Sequence, residues 1–127
     1  MSDEKARMPQ RVFLVVVDES EELMVALRYA CRRAVRTGGR VALLYVIEPE
    51  AFLHWASAER LRDEEHRAQA EQRLQELSSK VVDWTGDMPT LYIRRGLRRD
   101  ELLKLLDEEP NISVLVLGSA KGRRGPG

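Results

Sequence analysis

Hydrophobic positions along this chain alternate between two periods. The first apolar run, Val12 to Val17 in RVFLVVVDES, has no polar break, is rich in β-branched residues and stops at acids and a serine. Such a run reads as a strand buried on both faces, as parallel strands are. From Glu21 to about Thr37 the apolar residues Leu23, Leu27, Ala30, Cys31 and Ala34 fall at i, i+4, i+7, i+8 and i+11, one stripe of an amphipathic helix. Asp18 or Ser20 suits its N-cap, Glu21 and Glu22 its positive end, and Arg32, Arg33 and Arg36 its negative end ahead of Gly38 and Gly39.

The same two periods then recur. Val41 to Ile47 is a second buried strand, closed by Pro49. Ala51 to Trp84 contains no proline or glycine and carries Leu61, Leu74, Leu77 and Val81 among many charges, which predicts one long helix with a narrow apolar stripe. TLYIRRG reads as a short strand, RRDELLKLLDEE as a helix with Leu102, Leu103, Leu105 and Leu106 inward, and NISVLVLG as a fourth strand. Strands alternating with helices predict a three-layer α/β domain, an open parallel sheet with helices on both faces and right-handed crossovers. Residues 1–10 read as a flexible N-terminal segment and residues 11–127 as a single domain.

Composition narrows the function classes. With 43% apolar and 33% charged residues the chain reads as globular rather than disordered. Lys plus Arg and Asp plus Glu number 21 each, so the molecule as a whole has no bias toward nucleic acid or an acidic membrane, and neither is an expected partner. One cysteine, Cys31, permits no internal disulfide. No apolar run reaches membrane-spanning length and MSDEKARMPQ lacks the apolar core of a signal peptide, so the expected location is cytoplasmic.

In an open parallel sheet, ligands bind outside the carboxyl ends of the strands. Asp18 follows the first strand, where an ionised carboxylate can accept hydrogen bonds from an adenine amino or ribose hydroxyl group, or can cap the following helix. After the fourth strand, GSAKGRRG combines Gly118, Gly122 and Gly125 with Lys121, Arg123 and Arg124. That set suits either a close anion contact or a basic tail, and it matches neither a Walker A loop nor GxGxxG. In RRGLRRDE, Arg94, Arg95, Arg98 and Arg99 surround Gly96 at a strand-to-helix turn, as a solvated cluster or as an anion site at the helix N-terminus. His54 and His66 lie in no ligand-spaced motif, and no GxSxG elbow is present. Cys31, on the inward stripe, reads as a core residue.

Taken together, RVFLVVVDESEE, VALLYVIEP before a long charged helix, RRGLRRDELL and VLVLGSAKG resemble the universal stress protein family from Arg11 to Gly122. The resemblance implies an adenine nucleotide α-hydrolase-like fold of strand order 3-2-1-4-5, with the first and fourth strands at the switch point, and so implies that Asp18 and Gly118 come together. It implies a cytosolic stress-response module that binds ATP, with Mg2+, or a related adenine nucleotide as a switch or dimerising partner, at most a slow ATPase. The alternative is a protein-interaction module of the same fold that binds no nucleotide. By the same resemblance Asp18 contacts adenosine, the Val46 backbone meets adenine, and Gly118, Ser119 and Gly122 hold ribose and phosphates, with Lys121 and Arg123 as phosphate contacts. The family spacing is glycine, two residues, glycine, nine residues, then glycine with serine or threonine. Here three residues separate Gly118 from Gly122, and the distal Gly-Ser/Thr, its helix and the fifth strand are not in the sequence. The expectation is a domain truncated at its C-terminal side, forming a homodimer when complete.

Overall fold

The computed structural model describes residues 10–49 and 56–118. Among the described residues four strands, β1 (Val12–Val16), β2 (Arg40–Ile47), β3 (Thr90–Arg95) and β4 (Ile112–Leu117), alternate with three helices, α1 (Leu23–Thr37), α2 (Ala56–Thr85) and α3 (Arg98–Glu108). The sheet is wholly parallel in the order β3-β2-β1-β4. This is the expected three-layer α/β architecture and the first four places of the expected strand order.

The order explains the layers. Two successive right-handed crossovers step from β1 to β2 to β3, so α1 and α2 lie on one face of the sheet; the third runs back across it to β4 and leaves α3 on the other. Two cores follow. Phe13, Val15, Val41, Leu43 and Val116 meet Leu23, Leu27, Cys31, Leu74, Leu77 and Val81 of α1 and α2, while Leu14, Val16, Ala42, Leu44 and Val46 meet Leu105 of α3. Neighbouring residues of β1 thus serve opposite cores, which is why its sequence is a continuous apolar run rather than an alternation.

Several boundaries and orientations differ from expectation. Helix α1 begins at Leu23 with Glu22 as N-cap and no side-chain cap, so neither Asp18 nor Ser20 caps it. Asp18 Oδ1 instead accepts hydrogen bonds from the Ser20 amide at 2.9 Å and the Ser20 hydroxyl at 2.8 Å, closing a turn just ahead of the helix. The other end is as read: Gly38 takes a left-handed φ of 71° and its cap N–H reaches back to the carbonyls of the last turn. The described part of α2 starts at Ala56. Residues 51–55, expected in its first turn, and the Leu61 side chain lie outside the described residues. On α3, Leu105 is fully buried and Leu102 and Leu106 partly so, but Leu103 is 54% exposed. Four leucines in five positions span too wide an arc for one face, and the outermost is left in solvent.

Helix α2 is long for its sheet. Thirty residues make about 45 Å of helix against about 26 Å for the eight residues of β2. Because it runs antiparallel to the strands, its N-terminal half overhangs their carboxyl ends. Its inward stripe, Ala70, Leu74, Leu77 and Val81 over the sheet, continues on the overhang as His66, Gln69 and Arg73.

Candidate functional site

The overhang roofs a cleft of about 750 Å³ at the carboxyl ends of β1 and β2. Its walls come from the turn after β1 (Val17, Asp18, Glu19, Ser20) and the end of β2 (Tyr45 to Glu48). His66, Gln69 and Arg73 of α2 and Arg98 at the start of α3 complete it.

The end of β2 enters the cleft with open backbone. Pairing with β1 ends at Val16 opposite Leu44, and the Val17 amide closes it by donating to the Leu44 carbonyl at 2.8 Å. In a strand, N–H and C=O point the same way for one residue and the opposite way for the next. Leu44 faces β1, and Ile47 faces β3, where its carbonyl accepts from the Gly96 amide at 3.0 Å. Val46 therefore presents its N–H and C=O on the β1 side, two residues past the last β1 pairing, while its side chain is buried in the α3-side core. A donor and an acceptor side by side on a rigid strand can read the edge of a planar heterocycle.

Asp18 stands across from that edge. The Ser20 turn uses its Oδ1, and Oδ2 makes no hydrogen bond among the described residues. A half-buried carboxylate held by one oxygen keeps the other as an acceptor of fixed position.

Gly118 follows Leu117, which pairs with Val16, so it lies at the strand end next to the one that carries Asp18. It is buried, and a Cβ there would stand 3.0 Å from the Leu23 Cα and 3.1 Å from the Leu23 amide nitrogen. Glycine lets β4 close against the N-terminus of α1 with backbone touching backbone. Gly118 is not among the residues lining the cleft. Ser119, Lys121, Gly122 and Arg123 lie outside the described residues.

The arginine-rich turn resolves differently from its anion-site reading. The Arg98 amide, at the N-terminus of α3, donates to Glu48 Oε2 at 2.9 Å, so the chain's own carboxylate occupies that helix end. Arg94 pairs with Glu108 at 3.0 Å and lies 5.8 Å from the centre of the Tyr92 ring. Gly96 turns the chain at φ 144°, and a Cβ there would meet Glu101 Oε2 at 2.6 Å. Glu101, only 9% exposed, takes Lys104 as a partner at 3.3 Å. Of this cluster only Arg98 reaches the cleft.

His66, Gln69 and Arg73 were missed from sequence. Their spacing of i, i+3 and i+7, in line with an apolar stripe four residues on, was the available signal. Arg73 also pairs with Glu76 at 3.4 Å, an exposed contact that leaves it mobile enough to meet a ligand. Among the described residues no three His, Cys, Asp or Glu side chains form a group that could hold a metal ion. No described helix is long and apolar enough to cross a membrane.

An open parallel sheet with helices on both faces and a cleft outside its strand ends defines a three-layer α/β domain, and ligands of such domains bind at that cleft. The sequence profile of the Universal stress protein family matches residues 10–127, and the chain belongs to that family. Among solved structures it is similar to the universal stress protein UspA from Lactobacillus plantarum, at 20% identity and a TM-score of 0.77, covering 92% of this chain and 84% of that one. It is also similar to a universal stress protein from Archaeoglobus fulgidus in complex with dAMP, at 17% identity and a TM-score of 0.61, covering 87% and 82%. A universal stress protein in complex with cAMP matches at 19% identity and a TM-score of 0.64, covering 86% and 76%. Compared with curated proteins, the chain matches none.

Proposed function

We propose that this chain is a stress-response module that binds an adenine nucleotide in the cleft at the ends of β1 and β2. The observation that carries the reading is the pairing, across one cleft, of the open Val46 backbone with the free oxygen of Asp18. Adenine would take the Val46 N–H and C=O, and the ribose or the adenine amino group would take Asp18 Oδ2. Asp18, Glu19 and Glu48 make the β1–β2 end unfavourable for phosphates. They would point instead toward Gly118, which packs on an α1 N-terminus that no side chain caps, and be met by Ser119 and Gly122 and by the basic Lys121 and Arg123 that follow it in sequence. ATP, carrying its own Mg2+, is the fullest ligand of this proposal. The structural neighbours solved with dAMP and cAMP are consistent with the adenine part.

The role proposed is that of a cytoplasmic switch or dimerising module, with hydrolysis at most slow. A second reading, a protein-interaction module without nucleotide, draws support from the three carboxylates lining the cleft and from the Gly118 to Gly122 spacing. Nucleotide that copurifies with the chain would rule it out.

Thermal unfolding with AMP, cAMP and Mg-ATP tests the first reading. Ligand at about a hundred times its Kd adds about 2.7 kcal/mol, a shift of several degrees for a domain of this size. Asp18→Ala and Gly118→Val should each abolish the shift. No shift with any of the three at millimolar concentration overturns it.

A further inference from the structure

The outer side of α1 is chemically unlike the rest of the surface. Charge is balanced over the chain, yet α1 holds four arginines and no acid. Arg28, Arg32 and Arg36 recur every fourth residue, about 6 Å apart along the axis, and none has an ion-pair partner among the described residues. Together with Cys31, Val35 and Trp84 they line a groove of about 460 Å³ between α1 and the C-terminal turns of α2, on the outer flank of the helices and away from the nucleotide cleft. The same outer face carries Val25 at 70% exposure, Tyr29 at 50% and Val35 at 58%. Arginine, tyrosine and tryptophan around an apolar floor are the residue types that carry most binding energy in protein interfaces.

The groove is already set for a carboxylate. Trp84 packs against the α1–α2 core on one side, and the Arg28 guanidinium lies 5.0 Å from its ring centre on another. That contact holds Arg28 in place, so less side-chain freedom is lost when a carboxylate takes its N–H groups.

We propose that this groove docks an acidic amphipathic helix of a partner protein, with carboxylates repeating every fourth residue against Arg28, Arg32 and Arg36 and short apolar side chains against Val25 and Val35. Charge complementarity and the common 6 Å step of two α-helices select this occupant. A second copy of the chain fits less well, because antiparallel pairing about Ala30, the helix midpoint, brings Arg28 of each copy onto Arg32 of the other. Single-stranded nucleic acid fits less well too. Successive base stacking needs more than one open aromatic face, Trp84 is covered and Tyr29 is the one exposed ring described on this face, and a phosphate backbone offers nothing apolar to the two valines.

The test is fluorescence anisotropy of the intact chain with a labelled, end-capped alanine-based peptide of about 18 residues, long enough to be helical, with glutamate at every fourth position flanked by leucine. Binding is expected to weaken with added salt, to fall about tenfold in Arg32→Glu and again in Arg36→Glu, and to fall in Val35→Asp, whereas Arg99→Glu on α3 leaves it unchanged. All four positions are exposed, and an unchanged circular dichroism spectrum checks the fold of each variant. Any of four results overturns the proposal: no binding up to about 1 mM peptide, equal binding of the glutamine counterpart, displacement by a thymidine oligonucleotide or phosphatidylserine vesicles at lower concentration than by unlabelled peptide, or self-association that Arg32→Glu abolishes.

Discussion

Cys31 shows how much one position on α1 must reconcile. Its side chain closes the floor of the arginine groove from within, and burial pushes the thiol from its ordinary 9.0 up to about 11. Above pH 9 the unfolded chain gives up this proton while the folded one keeps it, so the contribution to stability is whole below pH 9 and is lost as pH rises toward about 11. Urea midpoints at pH 8 and pH 10.5 should therefore fall further for the native chain than for Cys31→Ala. The native thiol should also resist a disulfide reagent at pH 8 until denaturant is added, because the neutral, buried form is a poor nucleophile. Equal alkaline losses in the two proteins would contradict this. At the same scale, the position of Asp18 was legible because it follows a buried strand, while Val46 was singled out by the family resemblance; both line the cleft. The use of Asp18 was not, since a capping acid and one that folds onto a serine two residues on look alike until the helix start is known.

At the level of elements, the strands and α1 were legible because their burial is extreme. A strand covered on both faces is apolar throughout, and a helix with one covered face shows a single stripe. Helix α3 covers only part of its side of the sheet, and its leucine cluster outnumbers its inward positions, so pattern could not say which leucine stays outside. The two positions give a measurable contrast: Leu105→Ala should cost about 2–5 kcal/mol in urea unfolding, and Leu103→Ala no more than about 0.5. Equal losses would mean that α3 is rotated from the orientation described. His66, Gln69 and Arg73 escaped notice for a related reason. A helix longer than its sheet changes its inward chemistry where the sheet stops, and that point is set by strand length rather than by the helix.

For the whole molecule, charge is balanced in sum and segregated in place. Asp18, Glu19 and Glu48 share the cleft with Arg73 and Arg98, whereas the outer flank of α1 carries arginines that have no ion-pair partner among the described residues and no acid among them. Balance in sum makes the protein least soluble near its isoelectric point of about 6.8, where molecules no longer repel one another. Solubility measured from pH 5 to pH 9 should pass through a minimum there, deepest at low salt; a flat profile would show that segregation outweighs the sum.

The placement of β1 at the centre of the sheet bears on the order of assembly. β1 meets β2 after one crossover, but its other neighbour, β4, is the last of the four strands, and Leu117 follows Val16 by 101 positions. Pairings that close loops of that length form late and slowly. Asp18 and the Val46 edge can be in place while β4 is still unpaired, whereas Gly118 reaches α1 only when β4 docks. A chain emerging from the ribosome would thus form the Asp18–Val46 side of its cleft before Gly118 packs on α1, and under the proposed reading a nucleotide that needs both would be held only after β4 has docked.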